Sequence, residues 1–192
     1  MKSPVIRVKL SSRPYRALNF DCEARAIGYG DPNWVPQEIT AIAWSWLDSE
    51  DVECRLRIDA GGAHRMLLDF RRAYDQAEFV VGHYIRKFDL PLMNAEMLRH
   101  DHRPLGAKLT QDTHGDIVRT KGMKRDQENL AKQFGLSEKK FHMAWHDWED
   151  AYKEPGWPLV KERVVSDVVQ NKMLRLEQLR RGWLKKPRMW SS

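Results

Sequence analysis

Residues 16–28 read RALNFDCEARAIG, an apolar run that leads into Asp21 and Glu23. On an extended strand, side chains at i and i+2 leave the same face, so these two carboxylates stand side by side. Acids held that close repel and raise each other's pKa unless a cation sits between them. Hard divalent cations such as Mg2+ take oxygen ligands of this kind. The same pair also suits a strand end that frays into solvent.

Two further acids follow apolar runs. Asp89 comes just after VVGHYIRKF, and lying two residues before Pro91 it also suits a helix N-cap. Asp167 lies in KERVVSDVVQNKMLRLEQLRR, where helical steps set it beside Val160, Val164, Val168, Asn171 and Leu174. An acid on that mainly apolar face is costly to bury alone, and an edge Asp reaching to solvent is the alternative. Asp112 reads as a capping or loop acid, and His83 as a histidine bonded locally to backbone, with a ligand or base as the alternative. His142 and His146 are spaced as two zinc ligands on one helix face would be, but their stretch is irregular and no third ligand suggests itself.

Periodicity supplies the elements that must position these groups. ALNFDC reads as a first strand, Ile39–Leu47 as a second after the turn GYGDPNWVPQ, and Val52–Asp59 as a third pairing next to it. Met66, Leu67, Phe70, Ala73 and Tyr74 form a helical stripe after the Gly61–Gly62 break. EFVVGHY suits a buried parallel strand, FDLPLMNAEMLRH a second helix, and Lys108–Asp112 a short strand. DQENLAKQFGL is a short helix stopped by Gly135, and residues 161–181 form a long last helix. Between them, residues 137–158 read as mostly irregular with room for one short helix, and with Pro155 and Pro158 as breakers. The order of elements makes an α/β domain with a mixed sheet.

Composition bounds the partners. The chain has 192 residues, and 33 Lys and Arg against 27 Asp and Glu leave a net charge of +6, which favours a polyanionic partner. Cys22 and Cys54 are too few for a disulfide framework, and no apolar stretch approaches the roughly 20 residues that span a bilayer. The expectation is one domain over residues 1–192, with 183–192 a basic aromatic tail, in the cytoplasm and without a membrane.

PYRALNFDCEA resembles the first motif of the DEDD-type 3′–5′ exonucleases of the ribonuclease H-like superfamily, in which an apolar strand leads into Asp-x-Glu. VVGHYIRKFDLPLMNAEML is similar to their second motif, ENLAKQFGLSEKK to the helix and Gly turn before the third, and VVSDVVQNKML to the third itself. The resemblance covers about residues 13–182 and is nearest to the branch of the family B polymerase proofreading domains.

That resemblance implies a ribonuclease H-like fold, a mixed five-stranded sheet flanked by helices. It implies four acidic ligands, Asp21, Glu23, Asp89 and Asp167, for two Mg2+ or Mn2+ ions, and a nucleic-acid substrate, DNA before RNA. The expected activity is 3′–5′ exonucleolytic hydrolysis of phosphodiester bonds by two ions about 4 Å apart. Arg86, Lys87, Lys124, Arg125, Lys139 and Lys140 would hold the phosphate backbone. The family has Tyr four residues before its last Asp, or His five before. Here those positions hold Arg163 and Glu162, so the water-activating residue is either missing or supplied from elsewhere, with Tyr152, His142, His146 and Glu162 as candidates. That departure keeps two alternatives in play: a catalytically weakened nucleic-acid-binding module and an endonuclease on the same fold.

Overall fold

The computed structural model describes residues 16–26, 37–137, 140–153 and 155–191, without the side chains of Trp145, His146 and Glu149. Lys139 and most of the 28–37 turn lie outside the described residues. The elements run β1 (Ala17–Ala26), β2 (Gln37–Trp46), β3 (Glu53–Leu56), α1 (Gly62–Gln76), β4 (Phe79–Gly82), α2 (Asp89–Arg99), β5 (Lys108–Asp112), α3 (Gln127–Phe134), α4 (Trp145–Ala151), α5 (Trp157–Arg180) and β6 (Arg188–Trp190).

The strands form one sheet in the order β3-β2-β1-β4-β5-β6. β1 pairs antiparallel with β2 and parallel with β4, and β5 runs parallel to β4. The resemblance implies five strands and the described residues form six, because Arg188–Trp190 of the basic C-terminal stretch pairs antiparallel with Lys108–Thr110. Three residues of mixed polarity carry no strand pattern of their own, so only the open edge of β5 reveals them.

Alternation along β1 sorts its side chains between two cores. Leu18, Phe20 and Cys22 pack with Met66, Leu67, Phe70 and Tyr74 of α1 and with Leu90, Met93 and Met97 of α2. The Phe20 and Phe70 rings lie 5.0 Å apart, and burying each such side chain stabilises the fold by about 2 kcal/mol. Asn19, Asp21 and Glu23 fall on the opposite face by the two-residue period. On that side Ala41, Ala43 and Leu56 pack with Val160, Val164 and Val168 of α5.

β1 is longer than its apolar run, continuing through both acids to Ala26, and the register against β2 shifts between Glu23 and Ala24. An irregularity of that kind re-aims side chains where it occurs. α5 starts a turn earlier than expected, at Trp157. Pro158 sits inside its first turn, where a missing N–H costs nothing.

Gly82 closes β4 for a steric reason. A Cβ there would lie 2.1 Å from Ile85 Cγ2 and 2.8 Å from the Phe20 carbonyl oxygen. Only glycine lets the chain turn so close to β1, and that turn delivers Asp89 to the end of the strand.

Candidate metal and nucleic-acid site

β1 and β4 are parallel neighbours whose chains depart to opposite sides of the sheet, and the carboxyl ends of such strands are where ligands bind in open α/β sheets. A cleft of about 450 Å3 opens there, lined by Asp21, Glu23, Asp89 and Asp167 together with His83, Tyr84, His114, Gln127, Lys140 and Arg163. Carboxylate oxygens of Asp21, Glu23 and Asp167 all lie within 4.8 Å of one another, a spacing that could hold a metal ion. Asp89 stands slightly apart, as its Oδ1 accepts from Cys22 N at 3.2 Å and from Cys22 Sγ at 3.1 Å. It opens α2 without capping it, since Phe88 takes the N-cap position. The N-cap reading of Asp89 therefore fails, because its carboxylate turns across to β1 instead.

Buried carboxylates this close are hard to ionise together. Burial above all, and then the charges of Asp89, Asp167 and Glu23, hold the Asp21 carboxyl well above its ordinary range. Burial and the Asp167 charge push Glu23 up to about 7. Burial also pushes Asp89 up to about 7 despite the two hydrogen bonds from Cys22.

Two side-chain cations already enter the cluster. Lys140 Nζ lies 2.7 Å from Asp167 Oδ2. Arg163 Nε lies 3.4 Å from the same oxygen and 3.5 Å from Glu23 Oε1, while its Nη1 donates to the Phe141 carbonyl. Asp167 Oδ1 is buried with no hydrogen-bond partner among the described residues, so the cluster keeps an open acceptor. Oxygen ligands, their spacing and this unsatisfied atom fit a hard divalent cation.

Asp167 is positioned by a buried polar chain that the sequence reading did not foresee. Asn19 Nδ2 donates to the Val168 carbonyl at 2.8 Å, and Asn171 Nδ2 donates to Asn19 Oδ1 at 2.6 Å. Thr113 Oγ1 then donates to Asn171 Oδ1 at 2.6 Å, and His83 Nδ1 lies 2.9 Å from Thr113 Oγ1. Because a carbonyl can only accept, each donor in this chain is fixed in turn, and His83 is left to donate through Nδ1. Gln127 of α3 adds a bond to the Asp167 carbonyl at 2.9 Å. The one legible signal was Asn171, a polar residue one turn past Asp167 on the same face.

No protein-family model matches the sequence, and neither does any curated protein. Among solved structures, the family B DNA polymerase from the hyperthermophilic archaeon Pyrobaculum calidifontis is similar over 87% of this chain, with a TM-score of 0.60 and 19% sequence identity. This chain spans 25% of the length of that one. The fold is ribonuclease H-like. At such identity the likeness extends to fold alone.

Of the remaining described candidates only His83 shares the cleft. It bonds Thr113 Oγ1, and burial, helped by His114, brings its pKa down to about 4. Asp112 closes β5 and acts as a capping acid, accepting backbone N–H groups from Tyr84, Arg86, His114 and Gly115. Tyr152 rests against β1 with its hydroxyl 3.5 Å from the Ala24 carbonyl, outside the acid cleft. His142 and Glu162 are exposed, and neither lines the cleft. His142 precedes α4, so it shares no helix face with His146, whose side chain lies outside those described. No described helix is long and apolar enough to cross a membrane.

Proposed function

We propose that this chain is a divalent-metal-dependent nuclease that removes nucleotides from the 3′ end of a nucleic acid strand inside the cell. The observation that carries this reading is the convergence of Asp21, Glu23, Asp89 and Asp167, from β1, α2 and α5, on one cleft in a basic ribonuclease H-like domain. Asp21, Glu23 and Asp167 would hold the first Mg2+ or Mn2+ ion, and Asp89 would complete the set for a second. Bound there, the metal would supply Lewis acidity toward the scissile phosphate and would lower the pKa of water.

The chain's own residues do the rest. The sheet fixes Asp21 and Glu23 before any ion arrives, so no chain entropy is lost in gathering them. The Asn19–Asn171–Thr113 chain sets α5, and with it Asp167, against β1. Arg163, held by Phe141, keeps a positive charge beside Glu23 and Asp167, where it can steady a phosphate oxygen as charge builds.

A second reading has its own observation. Lys140 and Arg163 pair with the same acids that a metal requires, which suits a domain that binds strands without cutting them. Labelled DNA and RNA, single-stranded and duplex, incubated with Mn2+ and then with EDTA, separate the two. Metal-dependent ladders shortening from the 3′ end support the exonuclease. Internal cuts point to an endonuclease, and intact strands shifted on a gel point to the binding module.

A further inference from the structure

A cavity of about 290 Å3 opens at the far end of α3 from the acid cleft. Gln127, the first residue of α3, lines the cleft, whereas Phe134, the last, lines this cavity, and the two share no lining residue. Ile117, Met123, Phe134 and Trp183 make its walls apolar. Trp183 is 41% exposed, and Met123 packs at the edge of the small core that holds Ile117, Phe134 and Leu174. Val118 N donates to the Trp183 carbonyl at 2.8 Å, which ties the loop after β5 to the stretch after α5 where both form the wall. Thr120 lines the cavity too, and its buried Oγ1 has no hydrogen-bond partner among the described residues. Buried polar groups are normally paired, and a chain seated on this wall would supply the missing partner.

Charge narrows what that chain must be. Residues 117–124 and 180–186, which flank the opening, carry seven exposed Lys and Arg and no Asp or Glu. Lys121 and Arg181 line the cavity itself. Glu177 is the one carboxylate paired with this rim among the described residues, taking Arg180 at 2.8 Å and Arg181 at 2.9 Å. Cations this dense repel one another, and an acidic partner relieves them. The cavity is at the small end of ligand sites, which start at roughly 300 Å3, so it suits one apolar side chain better than a whole cofactor. A nucleobase would bring ring N–H and C=O groups against walls with few partners, and leaving each unpaired costs about 1–3 kcal/mol. An apolar anchor within an acidic segment meets both demands.

We propose that this cavity docks an acidic peptide segment of a partner protein. One Leu, Met, Phe or Trp side chain of that segment fills the apolar socket, and its carboxylates face Lys121, Arg181 and the cations beside them. A buried anchor carries the affinity in such an interface, and the surrounding charge sets orientation and encounter rate. The cavity lies apart from the acid cleft, so a docked partner leaves that cleft open, and the inference holds whichever reaction the cleft performs.

Fluorescence anisotropy on the full chain tests it with short labelled peptides of Asp, Glu, Ser and Gly, each holding one central Leu, Met, Phe or Trp. At least one of them should bind at micromolar concentration, and more weakly as salt rises. Replacing its anchor by Ser should weaken binding about tenfold or more, as loss of a buried anchor does. Trp183→Ala and Lys121→Glu should each weaken it about tenfold, and Lys161→Glu, near the other end of α5, should leave it unchanged. Lys121 is exposed, so that variant keeps the test decisive if Trp183→Ala fails to fold. No peptide bound below ~1 mM, equal binding without the anchor, or affinity unchanged in both variants overturns the proposal. An oligothymidylate that displaces the peptide and itself loses affinity in Trp183→Ala overturns it as well, because the cavity would then belong to nucleic acid.

Discussion

The ammonium of Lys140 lies 2.7 Å from Asp167 Oδ2, inside the group of acids best placed to hold a metal ion. Lysine and a bound metal would compete for the same oxygen. Lys140→Met should therefore raise Mn2+ affinity about tenfold, worth ~1.4 kcal/mol, in a calorimetric titration. Arg163→Tyr, which also removes a cation from this cluster, should raise it too. Unchanged affinity in both would mean that the metal sits away from Asp167.

Metal-free stability should depend on pH in a definite direction. Glu23 and Asp89 are pushed up to about 7, and Asp21 is raised as well, from values near 4 in an unfolded chain. The folded state thus binds more protons across that interval. The stability they contribute is full below about pH 4 and is lost as pH rises through about 7. The thermal midpoint of wild type relative to Glu23→Gln should fall by several degrees between pH 5 and pH 8, and saturating Mn2+ should remove the difference. A gap between the two proteins that is independent of pH would contradict this.

Asn171 connects the site to the frame. Its amide bridges Asn19 and Thr113 at 2.6 Å on each side. Asn171→Ala should destabilise the fold by about 2 kcal/mol, because buried partners lose their bonds. Any nuclease activity should drop in kcat before KM as Asp167 loses its register. Urea unfolding alongside steady-state kinetics checks both parts.

Away from the cleft, Arg57 joins Glu96 at 2.9 Å and Glu38 at 3.0 Å, and the Glu96 side chain is fully buried. Arg57→Met should cost about 3 kcal/mol by leaving Glu96 short of positive charge. Adding Glu96→Leu should recover much of that loss in urea unfolding. A double variant no better than the single would show that packing, not charge, dominates there.

Much of this was legible in the sequence because its signals are local. Two-residue alternation set Asp21 and Glu23 on one face, and the apolar stripe of α5 marked Asp167 as a buried acid. Gly135 ends α3 as its type and position suggested, with a φ of 72°. What stayed hidden depends on partners distant in the chain. Lys140 reaches Asp167 across 27 positions, Cys22 takes Asp89 across 67, and β6 has no pattern until β5 offers an edge. Pro158 misled because a helix breaker and a helix starter are the same residue in different turns.

The central claim is that Asp21, Glu23, Asp89 and Asp167 make this ribonuclease H-like domain a metal-dependent exonuclease. Single-turnover cleavage of a 5′-labelled strand in Mn2+ by Asp21→Ala, beside wild type and with matched circular dichroism, tests it most directly. The account predicts 3′-end shortening by wild type and a rate lower by about a thousandfold in the folded variant. A folded Asp21→Ala protein that cuts as fast as wild type would contradict it.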